Sequence, residues 1–214
     1  MTRIIGIVQL KGGAGRSTLA TNLAALLSRK APTAIIDCDM PQGTSASWYS
    51  VREAEGRTGG LTLATVDNAR DLVKTIESLT QDYVVIDAPP RIAEVTRAIL
   101  MVSDLLLIPL GASAAEIWAT TDLLDTIEEA QVERPELKSH IVWNKFRAYT
   151  RSAGALRDAV KKELKAPALK NTLGYRVAYS EALANGLAAD EWTDKNAREE
   201  LRELVAEIER LVKR

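Results

Sequence analysis

Lys11-Gly12-Gly13-Ala14-Gly15-Arg16-Ser17-Thr18 lies between a short apolar run, Ile4 to Val8, and a helix-like pattern from Leu19 to Leu27. A strand, a glycine-rich loop and a helix in that order predict a cradle for phosphate. Glycines let successive backbone N–H groups point inward, the helix N-terminus adds partial positive charge, and Ser17 is placed to ligate Mg²⁺. Against the pattern G-x-x-x-x-G-K-[ST], the first glycine falls on Leu10 and the lysine on Arg16. The variant form K-G-G-x-G-K-[ST]-T fits better, with Lys11 as its extra leading lysine and Arg16 as the departure.

Outward from this loop, the chain alternates apolar runs with helical patterns. Arg3 to Gln9 reads as a buried parallel strand and Ser17 to Lys30 as the helix that receives the phosphates. Thr33 to Asp37 is a second strand, followed by Asp37-Cys38-Asp39-Met40-Pro41-Gln42-Gly43-Thr44. Carboxylates just past the carboxyl end of a parallel strand stand where ligands bind in open α/β sheets. Ser45 to Gly56 is predicted helical, Leu61 to Ala64 a short strand, and Asn68 to Leu79 a helix. In Tyr83-Val84-Val85-Ile86-Asp87-Ala88-Pro89-Pro90, a buried strand delivers one carboxylate, Asp87, to the Mg²⁺ region. Ile92 to Met101 reads as a helix, Leu105 to Pro109 as a strand and Ala114 to Gln131 as a helix. A further strand ends at Asn144, whose amide can donate to and accept from an adenine edge; a structural turn asparagine is the alternative. The alternation predicts a doubly wound, mostly parallel sheet flanked by helices, as one domain over residues 1–214.

These segments together resemble the ParA/MinD family of P-loop ATPases with the deviant Walker A motif. The D-x-D-x-x-Q-G stretch is similar to the family's switch I, and Asp87-Ala88-Pro89-Pro90 to its D-x-P-P switch II. Arg176-Val177-Ala178-Tyr179-Ser180-Glu181-Ala182, then Gly186, resembles a segment near the end of small ParA-type proteins. The resemblance implies ATP and Mg²⁺ as cofactors, with the loop from Lys11 to Thr18 and Asn144 binding the nucleotide. It implies Mg²⁺ held by Ser17, Asp39 and Asp87. Lys11, Arg16 and Asp39 would act in hydrolysis, with Asp37 in support. It further implies a homodimer closed by ATP, in which Lys11 reaches the partner's nucleotide. Arginine in place of lysine at position 16 predicts slow turnover, because a planar fork and a compact ammonium are not interchangeable at a phosphate.

The net charge of −1 conceals an asymmetry: residues 1–137 carry 12 Lys/Arg against 18 Asp/Glu, whereas residues 138–176 carry 10 against 2. Arg157, Lys161 and Lys165 recur every four residues on a predicted helix from Thr150 to Leu164 and share one face. Lys162 and Lys170 extend the positive area, and Arg147, Arg151 and Arg176 flank it. Such a block is an electrostatic footprint for polyanions, and these eight residues are the candidate contacts to non-specific double-stranded DNA. An ion pair with Glu181 is the alternative for Arg176.

One cysteine, Cys38, rules out a disulfide framework or cysteine-based metal site within the chain. No signal peptide or long apolar run is present, so the expectation is a cytoplasmic protein, and the basic block together with the family resemblance adds nucleoid association. Asp194 is predicted to cap a last helix with apolar Leu201, Leu204, Val205, Ile208, Leu211 and Val212 on one face. Its acidic outer face argues for core packing and against stable membrane association. His140 and the four tryptophans are read as structural. The function implied is a partition or positioning ATPase that acts on a cargo through a ParB-like or other adaptor, with plasmid DNA favoured over a chromosome region or a carboxysome. A MinD-like membrane-surface ATPase and an ATP-binding switch with little hydrolysis are the alternatives.

Overall fold

The computed structural model describes residues 2–91, 93–111, 114–146, 164 and 166–213. Six strands form one all-parallel sheet: β1 (Arg3–Ile7), β2 (Thr33–Asp37), β3 (Leu61–Thr65), β4 (Tyr83–Asp87), β5 (Leu105–Leu110) and β6 (Lys138–Trp143). Their order is β3-β2-β4-β1-β5-β6, so the glycine loop leaves the sheet from an inner strand. The described helices are α1 (Arg16–Ser28), α2 (Thr44–Ala54), α3 (Ala69–Ser78), α4 (Glu94–Val102), α5 (Ala114–Glu133), α6 (Val177–Ala184) and α7 (Lys195–Val212).

The strands read as unbroken apolar runs because helices cover both sheet faces. Successive side chains point to opposite faces. Ile5, Ile7, Tyr83 and Val85 therefore join one core with α1, α2, α6 and α7, while Val84, Ile86, Leu106 and Ile108 join another with α3, α4 and α5. Helix α1 is buried nearly all round, with Leu19, Leu23, Leu26 and Leu27 in the first core, so the loop that precedes it rests on an immobile base.

Asp194 caps α7 by accepting from the N–H groups of Asn196 and Ala197, and Leu201, Leu204, Val205 and Ile208 pack into the first core. Among the described residues, no helix is long and apolar enough to cross a membrane. Trp118 departs from the packing expectation: it is 70% exposed. Its neighbours Ile117, Leu123, Leu124 and Ile127 turn α5's apolar stripe to the sheet, and Trp118, one residue on from Ile117, falls outside that stripe. The predicted helix over 150–164 lies outside the described residues except for Leu164, which is buried.

Candidate nucleotide-binding site

Parallel pairing brings the carboxyl ends of the inner strands to one level. Asp37 is in register with Asp87, and Ile7, the last residue of β1, with Asp87 from the other side. The glycine loop thus begins beside two buried carboxylates. Asp37 is spent on backbone: it accepts from the N–H of Asp39 at 3.0 Å and of Ala46 at 2.9 Å, which fixes the loop after β2 and the start of α2.

Asp87 is fully buried. One carboxylate oxygen accepts from the Ser45 hydroxyl at 2.7 Å, and the other has no partner within hydrogen-bond distance among the described residues, although the Ser17 hydroxyl is near the carboxylate. Burial pushes its pKa up to about 7, opposed by the hydroxyls of Ser45 and Ser17; nearby Asp37 raises it further and Arg16 lowers it. An orphaned carboxylate oxygen at 0% exposure calls for a cation or an ordered water. The donors here are carboxylate and hydroxyl oxygens, hard ligands that suit Mg²⁺, so Ser17, Asp39 and Asp87 fit the ion that the sequence implies.

Arg16 borders the open face of the loop, but its side chain is committed to main chain. Its side chain is 7% exposed, and the guanidinium donates to the carbonyls of Gln9 at 2.6 Å, Lys11 at 3.0 Å and Ala88 at 2.8 Å, with Asp39 at 3.6 Å. Burial lowers its pKa, and Asp87 and Asp39 counter that. One side chain therefore ties the end of β1, the loop, the segment after β2 and the segment after β4 together. Gln9, fully buried, sets the loop's entry by accepting from the N–H of Leu10 and donating to Pro109 and Thr120.

Lys11 points elsewhere. Its ammonium lies 3.7 Å from Glu116 at the start of α5, and the side chain is 38% exposed. Beside the loop is a cavity of about 440 Å³ lined by Gly12, Gly13, Gly15, Ser17, Thr18 and Asp39 among others, and Lys11 is not part of that lining.

Asn144, 4% exposed, donates to the Ala14 carbonyl at 2.7 Å and accepts from the N–H of Lys145 at 2.9 Å. It braces the loop and also lines a second cavity, of about 280 Å³, with Thr18, Lys145, Tyr175 and Arg176. Gly15 adopts φ +95°, and a Cβ there would stand 2.0 Å from the Asn144 amide nitrogen. Gly15→Ala is therefore expected to displace Asn144 and the loop together. Isothermal titration with ADP and Mg²⁺ should show binding reduced at least about 100-fold, from strain at a left-handed residue combined with the clash.

Arg176 makes its ion pair with Glu200, at 2.7 Å, rather than with Glu181, whose carboxylate accepts from Trp192. Nearness in sequence suggested the local partner, whereas packing of α7 against the start of α6 supplies the distant one. Of the basic set, Lys170 is exposed, and Arg147, Arg151, Arg157, Lys161, Lys162 and Lys165 lie outside the described residues. Ser45 and Lys145 were not singled out by sequence: a serine after a turn and a lysine after a strand carry no periodic signal. Cys38 is buried, its thiol pushed well up by that burial, and so inert.

A glycine loop between β1 and α1, a buried carboxylate ending the neighbouring strand and an all-parallel sheet between helix layers define a P-loop nucleotide-binding protein. The chain belongs to the family described as the CobQ/CobB/MinD/ParA nucleotide binding domain, whose model matches residues 5–189. It is similar to two proteins named maintenance of carboxysome distribution protein A. The one from Halothiobacillus neapolitanus is 26% identical, covering 95% of each chain. The one from Gloeobacter kilaueensis is 31% identical, over 97% of this chain and 94% of the other. A solved structure of apo McdA from Cyanothece superposes with a TM-score of 0.78 at 18% identity, covering 97% of this chain and all of that one, which bears on the fold alone.

Proposed function

We propose that this protein is an ATP-driven positioning ATPase that moves or spaces a large cargo over DNA. One observation carries the reading. A loop-lined cavity gathers Ser17 and Asp39, with Ser17 in turn interacting with the buried Asp87 carboxylate, while Lys11 lies outside that lining and pairs with Glu116. A lysine that avoids its own phosphate site is available to a second copy of the chain, and this supports a dimer closed by ATP.

In this reading the loop amides from Gly12 to Thr18 hold the phosphates, and Thr18 and Asn144 border the half that takes the sugar and adenine. Ser17, Asp39 and Asp87 would hold Mg²⁺, which, when bound, neutralises charge that develops on the phosphates. Asp39 orients the attacking water. Arg16 keeps its clasp and contributes positive charge from beneath the loop, so turnover is slow. Lys11 from the partner completes the site, which makes pairing and competence for hydrolysis one event.

The basic block, Arg147, Arg151, Arg157, Lys161, Lys162, Lys165 and Lys170, supplies the DNA-facing charge, and hydrolysis stimulated by an adaptor releases it. Arg176 contributes less, since Glu200 already engages it. The carboxysome-distribution relatives span nearly the whole chain, which shifts the favoured cargo from plasmid DNA to a protein-shelled compartment.

The test is binding to random-sequence duplex DNA with ATP, ADP or no nucleotide, across salt. Binding that requires ATP and falls with a log–log salt slope of roughly −0.9 per phosphate neutralised is the expected result. Absence of DNA binding in every nucleotide state would remove DNA from the account.

A further inference from the structure

Lys145 is a non-glycine residue with positive φ, at +52°, two residues past the end of β6. A lysine gains nothing sterically from the left-handed region; asparagine, aspartate and glycine are the usual occupants. The conformation is held from both sides. The side-chain oxygen of Asn144 accepts the Lys145 N–H at 2.9 Å, and the lysine's own ammonium donates to the Gly13 carbonyl at 2.7 Å. The strained backbone thus serves to swing one cation across onto the glycine loop.

The place it reaches is specific. Lys145 lines both the cavity beside the loop and the one beside Asn144 and Tyr175, and shares that position with Thr18 and Leu183. In the nucleotide reading above, the loop amides and the first turn of α1 take the phosphates and the cavity beside Asn144 takes the sugar and base, so the seam between the two cavities corresponds to the first phosphate. The side chain is exposed, and one bond to Gly13 leaves its ammonium two further donors. Arg16 meanwhile is occupied by three carbonyls and Asp39 beneath the loop. Among the described residues that line these two cavities, Lys145 is an exposed cation bonded directly to the loop.

We propose that Lys145 is a nucleotide-binding residue whose ammonium bridges the Gly13 carbonyl and the α-phosphate of the bound nucleoside phosphate. This rests on the nucleotide reading given above and adds to it a residue outside the loop and the two switch segments. Because the α-phosphate is common to ADP and ATP, the contribution is the same for both.

Two variants separate this role from a purely structural one. Lys145→Met keeps the apolar stem and removes the charge. Lys145→Gly removes the whole side chain but adopts φ +52° without strain, so its melting temperature should be no lower than that of the unaltered protein. Titration calorimetry with ADP and with a non-hydrolysable ATP analogue, each with Mg²⁺, is expected to show affinity reduced about tenfold in both variants, by a similar factor for each ligand, as befits one charge-assisted hydrogen bond. Unchanged affinity in either variant overturns the assignment. So does a loss confined to the ATP analogue, which would place the ammonium at the γ-phosphate, and so does a melting temperature that falls with affinity in both variants, which would make Lys145 part of the scaffold. If the unaltered protein binds neither ligand, the nucleotide reading itself fails, and this assignment with it.

Discussion

Arg16→Ala is expected to lower folding stability by about 3 kcal/mol and to abolish measurable ATP binding. The side chain donates to three main-chain carbonyls, of Gln9, Lys11 and Ala88, and alanine leaves all three without that donor. A buried acceptor stripped of its partner costs roughly 1–3 kcal/mol, reduced where water enters the space. Urea denaturation of the two proteins measures the difference; a change under about 1 kcal/mol would mean that the clasp contributes little to the folded state. Binding fails for a second reason, since the loop loses the tie that holds it against Ala88 and Asp39. Arg16→Lys restores the usual residue of the motif, but one ammonium cannot reproduce the fork. It should recover part of the binding and raise turnover, with stability between the other two.

Lys11→Ala is expected to behave in the opposite way: stability changes by less than about 1 kcal/mol, while ATP-dependent dimerisation disappears. Its ion pair with Glu116 is 3.7 Å long with the lysine well exposed, and such surface pairs contribute little. That weakness suits a residue that must exchange partners, because a carboxylate at the start of α5 is readily traded for the phosphates of a nucleotide held by a second copy. Size-exclusion chromatography with and without ATP tests it. Elution as a monomer in both conditions is the expected result for Lys11→Ala, and a dimer that persists with ATP would remove Lys11 from the interface. The pair of variants is informative because the two basic residues of one loop, five positions apart, separate stability from assembly.

Much of the fold was legible in the sequence because its signals are local. Tyr83–Asp87 and Thr33–Asp37 were readable as strands from unbroken apolar runs, and their ends at Asp87 and Asp37 from the carboxylate that stops each run. The glycine loop declared itself through residue types that only a tight, amide-lined turn requires. Asp194 as a cap and the stripe through Leu201, Leu204, Val205 and Ile208 followed from helical spacing. Trp118 was misjudged because residue type says only that a tryptophan prefers burial, whereas the register of α5 decides which side it occupies.

The sequence by itself thus determined the strand and helix alternation, the phosphate loop and the carboxylates at the strand ends, since each depends on contacts within a few residues. Tertiary structure alone decided how the charges are spent. Arg16 meets Ala88 across 72 residues and Asn144 meets Ala14 across 130, separations at which no spacing rule operates. Ser45 finds Asp87, Arg176 finds Glu200 and Lys145 finds Gly13 in the same way. Parallel crossovers bring strand ends that are remote in sequence to one edge of the sheet, and the buried polar groups collected there must satisfy one another.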